Sequence, residues 1–131
     1  MKILDSYEKY GGHVNFIDDN DVFVGYDIHQ DCCEEADWYI VDRIIPYSYG
    51  WSDDHIPQPD GVPDVCDYSF DLDFFQNVQS DHLDAGEMVV FKLVAKDKPD
   101  LYLHLYNCHN GYYGHGFEVK HGGETVRSGT L

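Results

Sequence analysis

The sequence predicts a mainly β protein, a single-domain antiparallel meander that forms a curled sheet, small barrel or sandwich, with one minor short helix. Short runs that alternate apolar and polar residues recur along the chain, and clusters of Gly, Pro, Asn and Asp separate them. The chain has 131 residues, of which 43% are hydrophobic and 15% aromatic, which suffices for one ordinary core. We therefore expect one domain over residues 1–131.

The first hairpin is predicted over 13–17 and 22–28, joined by an acidic turn at 18–21. This turn lacks the spaced ligands and the closing Glu of an EF-hand, so we interpret it as a solvated turn. The segment 29–35 (HQDCCEE) follows. Asp31 and Glu34 have the D-x-x-E form of a capping box, which predicts a helix of one or two turns with Cys32 and Cys33 in its first turn.

A third strand is predicted at 38–45, where Pro46 ends the ladder because it has no N–H donor. Residues 46–67 contain four of the five prolines of the chain and are predicted to form a long loop. Loops longer than about a dozen residues in a compact domain tend to be functional or mobile. The run 68–75 then alternates, which predicts a strand with Asp71 and Asp73 on one face.

Strands are also predicted at 88–95, 101–106, 112–119 and 124–127. The Asn110-Gly111 dipeptide is a strong two-residue hairpin signal and predicts that 101–106 pairs with 112–119. Its register places Cys108 opposite Tyr113, Tyr106 opposite His115, and His104 opposite Phe117. The leucines at 101, 103 and 105 take the other face, which we expect to be the core.

The formal net charge is −17, and it is unevenly distributed. Residues 1–91 hold 3 basic and 21 acidic side chains, whereas residues 92–131 hold 5 and 4. Such a surface repels nucleic acid and anionic lipid and attracts basic protein surfaces. The composition therefore argues against direct nucleic-acid binding and favours a basic protein partner.

The N-terminal residues 1–5 lack an apolar stretch of signal-peptide length, and no window approaches the roughly 18 apolar residues of a membrane helix. We therefore expect a cytoplasmic protein without a membrane span. In a reducing cytosol the cysteines are expected as free thiols or metal ligands. They are Cys32, Cys33, Cys66 and Cys108.

Two fragments, 29–34 (HQDCCE) and 110–113 (NGYY), resemble a family of small uncharacterised bacterial and bacteriophage proteins. Its members carry a stretch of the H-x-Q-D-C-C-E type early and an N-G-Y-Y stretch late. The resemblance implies a phage or bacterial cytoplasmic setting. It implies no reaction, substrate or cofactor.

Three kinds of chemical site are compatible with the residues, although the pattern predicts no cofactor outright. Zn²⁺ is the candidate metal because His and Cys are its usual ligands, although adjacent cysteines depart from the usual C-x₂₋₄-C spacing. A thiol nucleophile needs a base, for which His29 is available, but nearby carboxylates raise the pKa of a thiol. Carboxylates at 53, 54, 71 and 73 with His55 form a third candidate, for Mg²⁺, Ca²⁺ or acid–base chemistry. The predicted zinc ligands are His29, Cys32, Cys33, Cys108 and His109.

The preferred interpretation is a non-catalytic protein-binding module, in which aromatic side chains within a negative rim contact a basic partner. The alternative for that aromatic face is burial under another layer, with its histidines hydrogen-bonded and inert. The sequence predicts no catalytic residue and leaves the oligomeric state open. The predicted binding surface comprises Trp51, Tyr102, His104, Tyr106, Tyr113 and His115.

Overall fold

The computed structural model describes residues 1–6, 12–29, 34–44, 62–78, 86–109 and 114–131. Every regular element in these ranges is a β-strand, which confirms the mainly β prediction. The strands are β1 (Lys2–Ser6), β2 (His13–Ile17), β3 (Val22–Asp27), β4 (Glu34–Val41), β5 (Ser69–Val78), β6 (Gly86–Val94), β7 (Leu101–His109), β8 (Gly116–His121) and β9 (Glu124–Thr130).

The strands form two antiparallel sheets. The first sheet has the order β1-β2-β3-β8-β9 and the second the order β4-β7-β6-β5. Neighbours in sequence pair within each sheet, as a meander requires, except at β3–β8 and β4–β7. Between β3 and β4, and again between β7 and β8, the chain passes from one sheet to the other. The arrangement is a sandwich rather than a closed barrel.

The core lies between the sheets because each strand buries alternate side chains. In β3 the pattern alternates strictly between buried and half-buried positions. One hydrophobic cluster contains inward-facing residues of both sheets, among them Phe16, Leu103 and Phe117. Phe16 meets Trp38 edge-on at 5.1 Å, and Phe117 stacks on Phe75 at 6.0 Å. The prediction that the β7 leucines face the core is confirmed.

Two turns show why the hairpins form where the sequence indicates. Asp18 is buried, and its carboxylate accepts hydrogen bonds from the N–H groups of Asn20, Val22 and Phe70 at 2.9 Å. It therefore closes the β2–β3 turn and ties it to β5, so the turn is not wholly solvated. The β8–β9 turn has Gly122 and Gly123 at φ of 60° and 83°, which suits a two-residue hairpin.

The predicted pairing of 101–106 with 112–119 is wrong. Tyr106 lies opposite Asp37 and Met88, and His104 lies opposite Tyr39 and Val90. Phe117 pairs instead with Tyr26 and Gly129 in the first sheet. The reason is that β4 and β6 occupy both edges of β7, so β7 has no edge left for β8.

The helix predicted from Asp31 is wrong where it reaches Glu34. Glu34 begins β4, and β4 pairs with β7 over eight residues to Val41. The hydrogen bonds of this ladder outweigh the local preference of a D-x-x-E stretch. The strand thus begins four residues before the predicted 38–45 run. β1 was not predicted, because Lys2–Ser6 shows little alternation.

Most of the proline-rich segment, residues 45–61, lies outside the described residues, so the loop at 46–67 stays a prediction. Of that segment, the structure describes Val62–Asp67, which includes a turn at Cys66–Asp67. Across the described ranges, no helix is long and apolar enough to cross a membrane.

Candidate functional site

One end of the sandwich carries a group of imidazoles around Asp27, and we call it the histidine end. His13 starts β2 and lies opposite Asp27 at the end of β3. His29 follows two residues later, and its backbone N–H donates to Asp27 Oδ1 at 2.9 Å. His115 Nδ1 donates to the Asp27 carbonyl at 2.8 Å. The histidine end is defined by His13, Asp27, His29 and His115.

Buried hydrogen bonds join the two sheets at the histidine end. The Tyr26 hydroxyl donates to the Tyr106 carbonyl at 2.8 Å, and Asn107 Nδ2 donates to the Leu131 carbonyl at 3.0 Å. His115 exchanges two backbone hydrogen bonds with Leu131, at 2.8 and 2.9 Å. His115 is only 2% exposed. His115 therefore joins the end of β3, through its imidazole, to the residue that follows β9, through its backbone.

The predicted zinc ligands converge on the histidine end only in part. His29 is half-buried there, while Cys32 and Cys33 lie outside the described residues. Cys108 and His109 end β7, and their side chains also lie outside the description. The register places Glu34, which follows Cys33, directly opposite His109. Opposed Cα atoms in such a ladder are about 4.5–5.5 Å apart, so the two predicted ligand segments adjoin.

The side chains that the structure describes do not form a metal site by themselves. In that part of the chain, no group of three or more His, Cys, Asp and Glu side chains is arranged to hold a metal ion. Cys66, the fourth cysteine, is an exposed free thiol in the turn before β5. The zinc site therefore stays a prediction that depends on Cys32, Cys33, Cys108 and His109.

Charge is distributed unequally between the two ends of the sandwich. At or near the histidine end lie the carboxylates of Asp5, Asp27, Asp37 and Glu87, with Asp5 and Asp37 exposed and the other two half-buried. None of the Lys and Arg residues that the structure describes lies at this end. They occupy the opposite half or the middle of the strands: Lys2, Arg43, Lys92, Lys96, Lys98, Lys120 and Arg127.

The opposite end is richer in ion pairs. Lys98 Nζ lies 2.7 Å from an oxygen of Asp67, and Lys92 Nζ lies 3.4 Å from an oxygen of Asp100. Each pair holds the pKa of its lysine above the ordinary value, mainly through the hydrogen bond to the carboxylate. Carboxylates are thus mixed with Lys and Arg side chains at this end, whereas the described side chains of the histidine end include no Lys or Arg.

The predicted binding surface is split by the structure. Tyr102, His104 and Tyr106 do share the face of β7 that points away from the leucines, as predicted. Tyr102 is half-buried, whereas His104, Tyr106 and His115 are buried. His115 precedes β8 and lies with the first sheet. Trp51 and Tyr113 lie outside the described residues, so the binding role of this set stays a prediction.

His104 is fully buried on that face and stacks on Tyr39, with ring centroids 4.2 Å apart and planes 18° apart. Its Nδ1 donates to the Tyr102 carbonyl at 3.1 Å. Burial lowers the pKa of His104 to about 4, and it raises the pKa of Tyr39. Both side chains are therefore neutral at pH 7. The Tyr39 hydroxyl also lies 3.4 Å from the sulfur of Met88.

A cavity of about 220 Å³ opens between β5 and β9, the edge strands of the two sheets, and we call it the edge cleft. Its mouth includes Leu72 and Val126, which are 44% and 56% exposed. Two charged side chains, Asp71 and Arg127, also line it. Its wall is formed by Val22, Val24, Phe70, Phe75, Phe91 and Val119.

Sequence reasoning missed the edge cleft. Its residues come from five strands of two sheets, so only the stacking of the sheets brings them together. The candidate carboxylates at 71 and 73 lie beside it, and Asp71 Oδ1 accepts a hydrogen bond from the Asp73 N–H at 3.0 Å. Asp53, Asp54 and His55 lie outside the described residues.

The sequence model of a domain of unknown function, DUF7448, matches residues 2–119. No curated protein and no solved structure matches the chain. The match spans β1 to β7 and most of β8, so it includes every strand of the second sheet. The resemblance to an uncharacterised protein family is therefore confirmed at the level of the family: the chain belongs to the DUF7448 family of domains of unknown function.

Proposed function

We propose that this chain is a non-catalytic protein-binding module that uses its histidine end to bind a basic protein surface in the cytoplasm of a bacterium or a phage-infected cell. The observation that carries the proposal is the separation of charge. The described side chains of the histidine end include Asp5, Asp27, Asp37 and Glu87, and they include no Lys or Arg. A basic partner therefore meets no repelling Lys or Arg among the described side chains of this end, whereas over the rest of the sandwich such bases are mixed with the carboxylates.

The connections that begin and end at the histidine end are also acidic in sequence. They join β1 to β2, β3 to β4, β5 to β6, and β7 to β8. By sequence these connections contain four carboxylates, at positions 8, 31, 81 and 84, and one base, Lys9. A partner with clustered Lys and Arg side chains has complementary charge to such a surface, whereas nucleic acid and anionic lipid are repelled.

Association by charge predicts a strong salt dependence. Exposed charges separated by more than a Debye length of about 8 Å at physiological ionic strength are largely screened. A partner captured at low salt is therefore expected to dissociate as salt rises. Rim charges act mainly on the association rate, so the rate constant of association is expected to fall first.

Two triple variants with the same change of charge test the proposal. Asp5→Asn/Asp37→Asn/Glu87→Gln neutralises three carboxylates at or near the histidine end. Asp19→Asn/Asp97→Asn/Glu124→Gln neutralises three exposed carboxylates at the opposite turns. We expect a basic protein to be captured from bacterial lysate by the wild type and the second variant, and to be lost with the first. Equal capture by both variants, or capture that does not depend on salt, contradicts the proposal.

Zinc binding is the second candidate function. The observation that favours it is the register of β4 on β7, which places the chain directly after Cys33 beside His109. Zn²⁺ takes four ligands in a tetrahedron, and His29, the two adjacent cysteines, Cys108 and His109 supply more than enough donors. Because Cys32 and Cys33 are adjacent, only one of them needs to contribute.

Metal analysis of protein purified without a histidine tag tests the zinc candidate. We expect about one Zn²⁺ per chain, as in a site of this composition, and its loss from Cys32→Ser/Cys33→Ser. Cys66→Ser is the matched control, because Cys66 is an exposed free thiol in the turn before β5, which begins at the opposite end. Absence of stoichiometric metal from the wild type, or equal metal content in both variants, contradicts this candidate.

A further inference from the structure

We infer that the edge cleft binds a small organic acid, with an apolar chain of about six carbons inside the cavity and its carboxylate on the guanidinium of Arg127. This inference is independent of the proposed function, since the edge cleft and the histidine end are separate parts of the sandwich. Three features of the molecule support it: the lining of the cleft, the surroundings of Arg127, and an irregularity of β5.

The lining specifies the apolar part of the ligand. Valines of β3 and β8 and phenylalanines of β5 and β6 form the wall, and Leu72 and Val126 expose apolar surface at the mouth. At about 30 Å³ per water, a volume of 220 Å³ corresponds to roughly seven non-hydrogen atoms. Water in such a space finds few polar partners, so an alkyl chain that displaces it is favoured.

Arg127 specifies the charged part. Its guanidinium carbon lies 3.9 Å from the centroid of the Phe75 ring, so the planar group covers the ring at the side of the cleft. Arg43 and Lys98 hold carboxylates at 3.1 and 2.7 Å, whereas no described carboxylate forms an ion pair with Arg127. A guanidinium presents parallel N–H donors that match the two oxygens of a carboxylate.

The strand β5 is irregular beside the cleft. Its pairing with β6 is interrupted between Asp71 and Phe75, which leaves Leu72, Asp73 and Phe74 outside the ladder. Bulges of this kind occur frequently next to binding sites because they redirect side chains. Here the adjacent side chains of Phe74 and Phe75 both line the cleft, although regular alternation would place them on opposite faces of the strand.

Asp71 limits the charge of the ligand. Its carboxylate also lines the cleft, and it disfavours a second negative charge. Part of its charge is compensated, because Asp71 lies opposite Lys92 and accepts a hydrogen bond from the Asp73 N–H. A single arginine beside a carboxylate suits a monoanion better than a phosphate monoester. The ligand class is therefore an aliphatic monocarboxylate.

Titration with hexanoate tests the inference. Calorimetry and the methyl NMR signals of Val24 and Val119 are the two measurements of binding. For a ligand with eight non-hydrogen atoms we expect a Kd on the order of a millimolar. Hexanol and hexylamine are the matched probes without the negative charge, and both are expected to bind at least about tenfold more weakly, because a charge-assisted hydrogen bond is lost.

Three variants assign the binding to the cleft. Arg127→Met keeps an unbranched chain on Phe75 and removes the charge, and it is expected to weaken hexanoate roughly tenfold to a hundredfold. Arg43→Met is the control at an arginine that pairs with Asp42, and it is expected to leave the Kd unchanged. Asp71→Asn is expected to tighten hexanoate, because it removes a like charge.

The opposite results overturn the inference. The inference is wrong if the wild type shows no detectable binding of hexanoate. It is also wrong if the wild type binds hexanol with equal affinity or hexylamine more tightly. An equal loss of hexanoate affinity in Arg127→Met and Arg43→Met also contradicts the inference, because the loss then reflects the net charge of the protein rather than a contact in the cleft. Weaker binding by Asp71→Asn assigns the polar contact to Asp71 and contradicts a carboxylate ligand.

Discussion

The hydroxyl of Tyr26 donates a hydrogen bond to the main-chain carbonyl of Tyr106 at 2.8 Å, from the first sheet to the second. Tyr26 is completely buried, and Tyr106 is 5% exposed. The bond fixes the end of β3 against the end of β7, and the histidine end is built on these two strand ends. The geometry of that end therefore depends on a contact between sheets.

Tyr26→Phe is expected to lower the free energy of unfolding by about 1–2 kcal/mol, because a buried carbonyl loses a donor while the ring is kept. Urea unfolding measures the difference. Tyr68→Phe removes a hydroxyl that donates to the Pro99 carbonyl at 2.8 Å, in a partly buried position. We expect a smaller loss there, since water replaces the lost donor. A larger loss at Tyr68 contradicts this assignment.

The carboxylate of Asp18 is the second structural contact that can be tested. Asp18→Asn leaves one acceptor oxygen for the N–H groups of Asn20, Val22 and Phe70, and it turns an amide donor toward another donor. We expect a loss of about 2–3 kcal/mol of unfolding free energy. The control is Asp19→Asn at the adjacent exposed position, with an expected change within about 0.5 kcal/mol. Equal effects at both positions show that the buried carboxylate is not the stabilising group.

His104 predicts how stability depends on pH. Burial depresses its pKa from an ordinary 6.5 to about 4 in the folded chain. The unfolded chain therefore binds the proton more readily between these two values, and protonation favours unfolding. The contribution of His104 is fully present above pH 6.5 and is lost progressively as the pH falls toward 4. Between pH 8 and pH 5 the expected loss is about 2 kcal/mol.

Urea unfolding at pH 8 and pH 5 measures this loss in the wild type and in His104→Phe. The phenylalanine keeps a ring on Tyr39 and cannot take up a proton, so the difference between the two proteins isolates His104. We expect the variant to lose about 2 kcal/mol less than the wild type over this interval. Identical pH dependence in both proteins contradicts burial of a neutral imidazole.

The β8–β9 hairpin offers a matched pair of glycines. A Cβ at Gly129 lies 2.8 Å from Phe117 Cε1, and that ring is held by Phe75 and Phe91. At Gly116 the nearest atom is 3.9 Å away. We expect Gly129→Ala to cost about 1–3 kcal/mol of unfolding free energy, and Gly116→Ala to cost little. Thermal unfolding compares the two, and a reversed order contradicts the packing of Phe117 between the sheets.

The sequence predicts strands well where one face is buried. In β2, β3 and β7 the alternation of side chains reports the core directly. Prediction from alternation fails for Lys2–Ser6, which shows little alternation. This segment is a strand because it pairs with the edge of β2. The prediction also fails at Glu34, where a local capping pattern competes with an eight-residue ladder and loses.

Pairing between strands that are distant in the chain is harder to predict from the sequence. Asn110-Gly111, which lies outside the described residues, is a local signal, and it contains no information about the edges of β7. Those edges are taken by β4 and β6, which arrive from distant parts of the chain. The predicted site shows the same limit. The chain directly after Cys33 lies beside the end of β7 because of the register of Glu34 on His109, which no motif specifies.

The edge cleft had no sequence signal at all. Arg127 and Phe75 are far apart in the chain, and they meet only because β5 and β9 are edge strands on the same side of the sandwich. The irregular pairing between Asp71 and Phe75 is the nearest thing to a local sign, and it appears only in the register.

Titration of isotope-labelled protein with a hexalysine peptide tests most directly the claim that the histidine end attracts a basic partner. Amide NMR shifts locate the bound cation without knowledge of the natural partner. We expect the largest changes at Asp5, Asp27, Asp37 and Glu87, decreasing as salt is added. Shifts that are largest at Asp19, Asp97 and Glu124, or spread evenly over both ends, contradict the account.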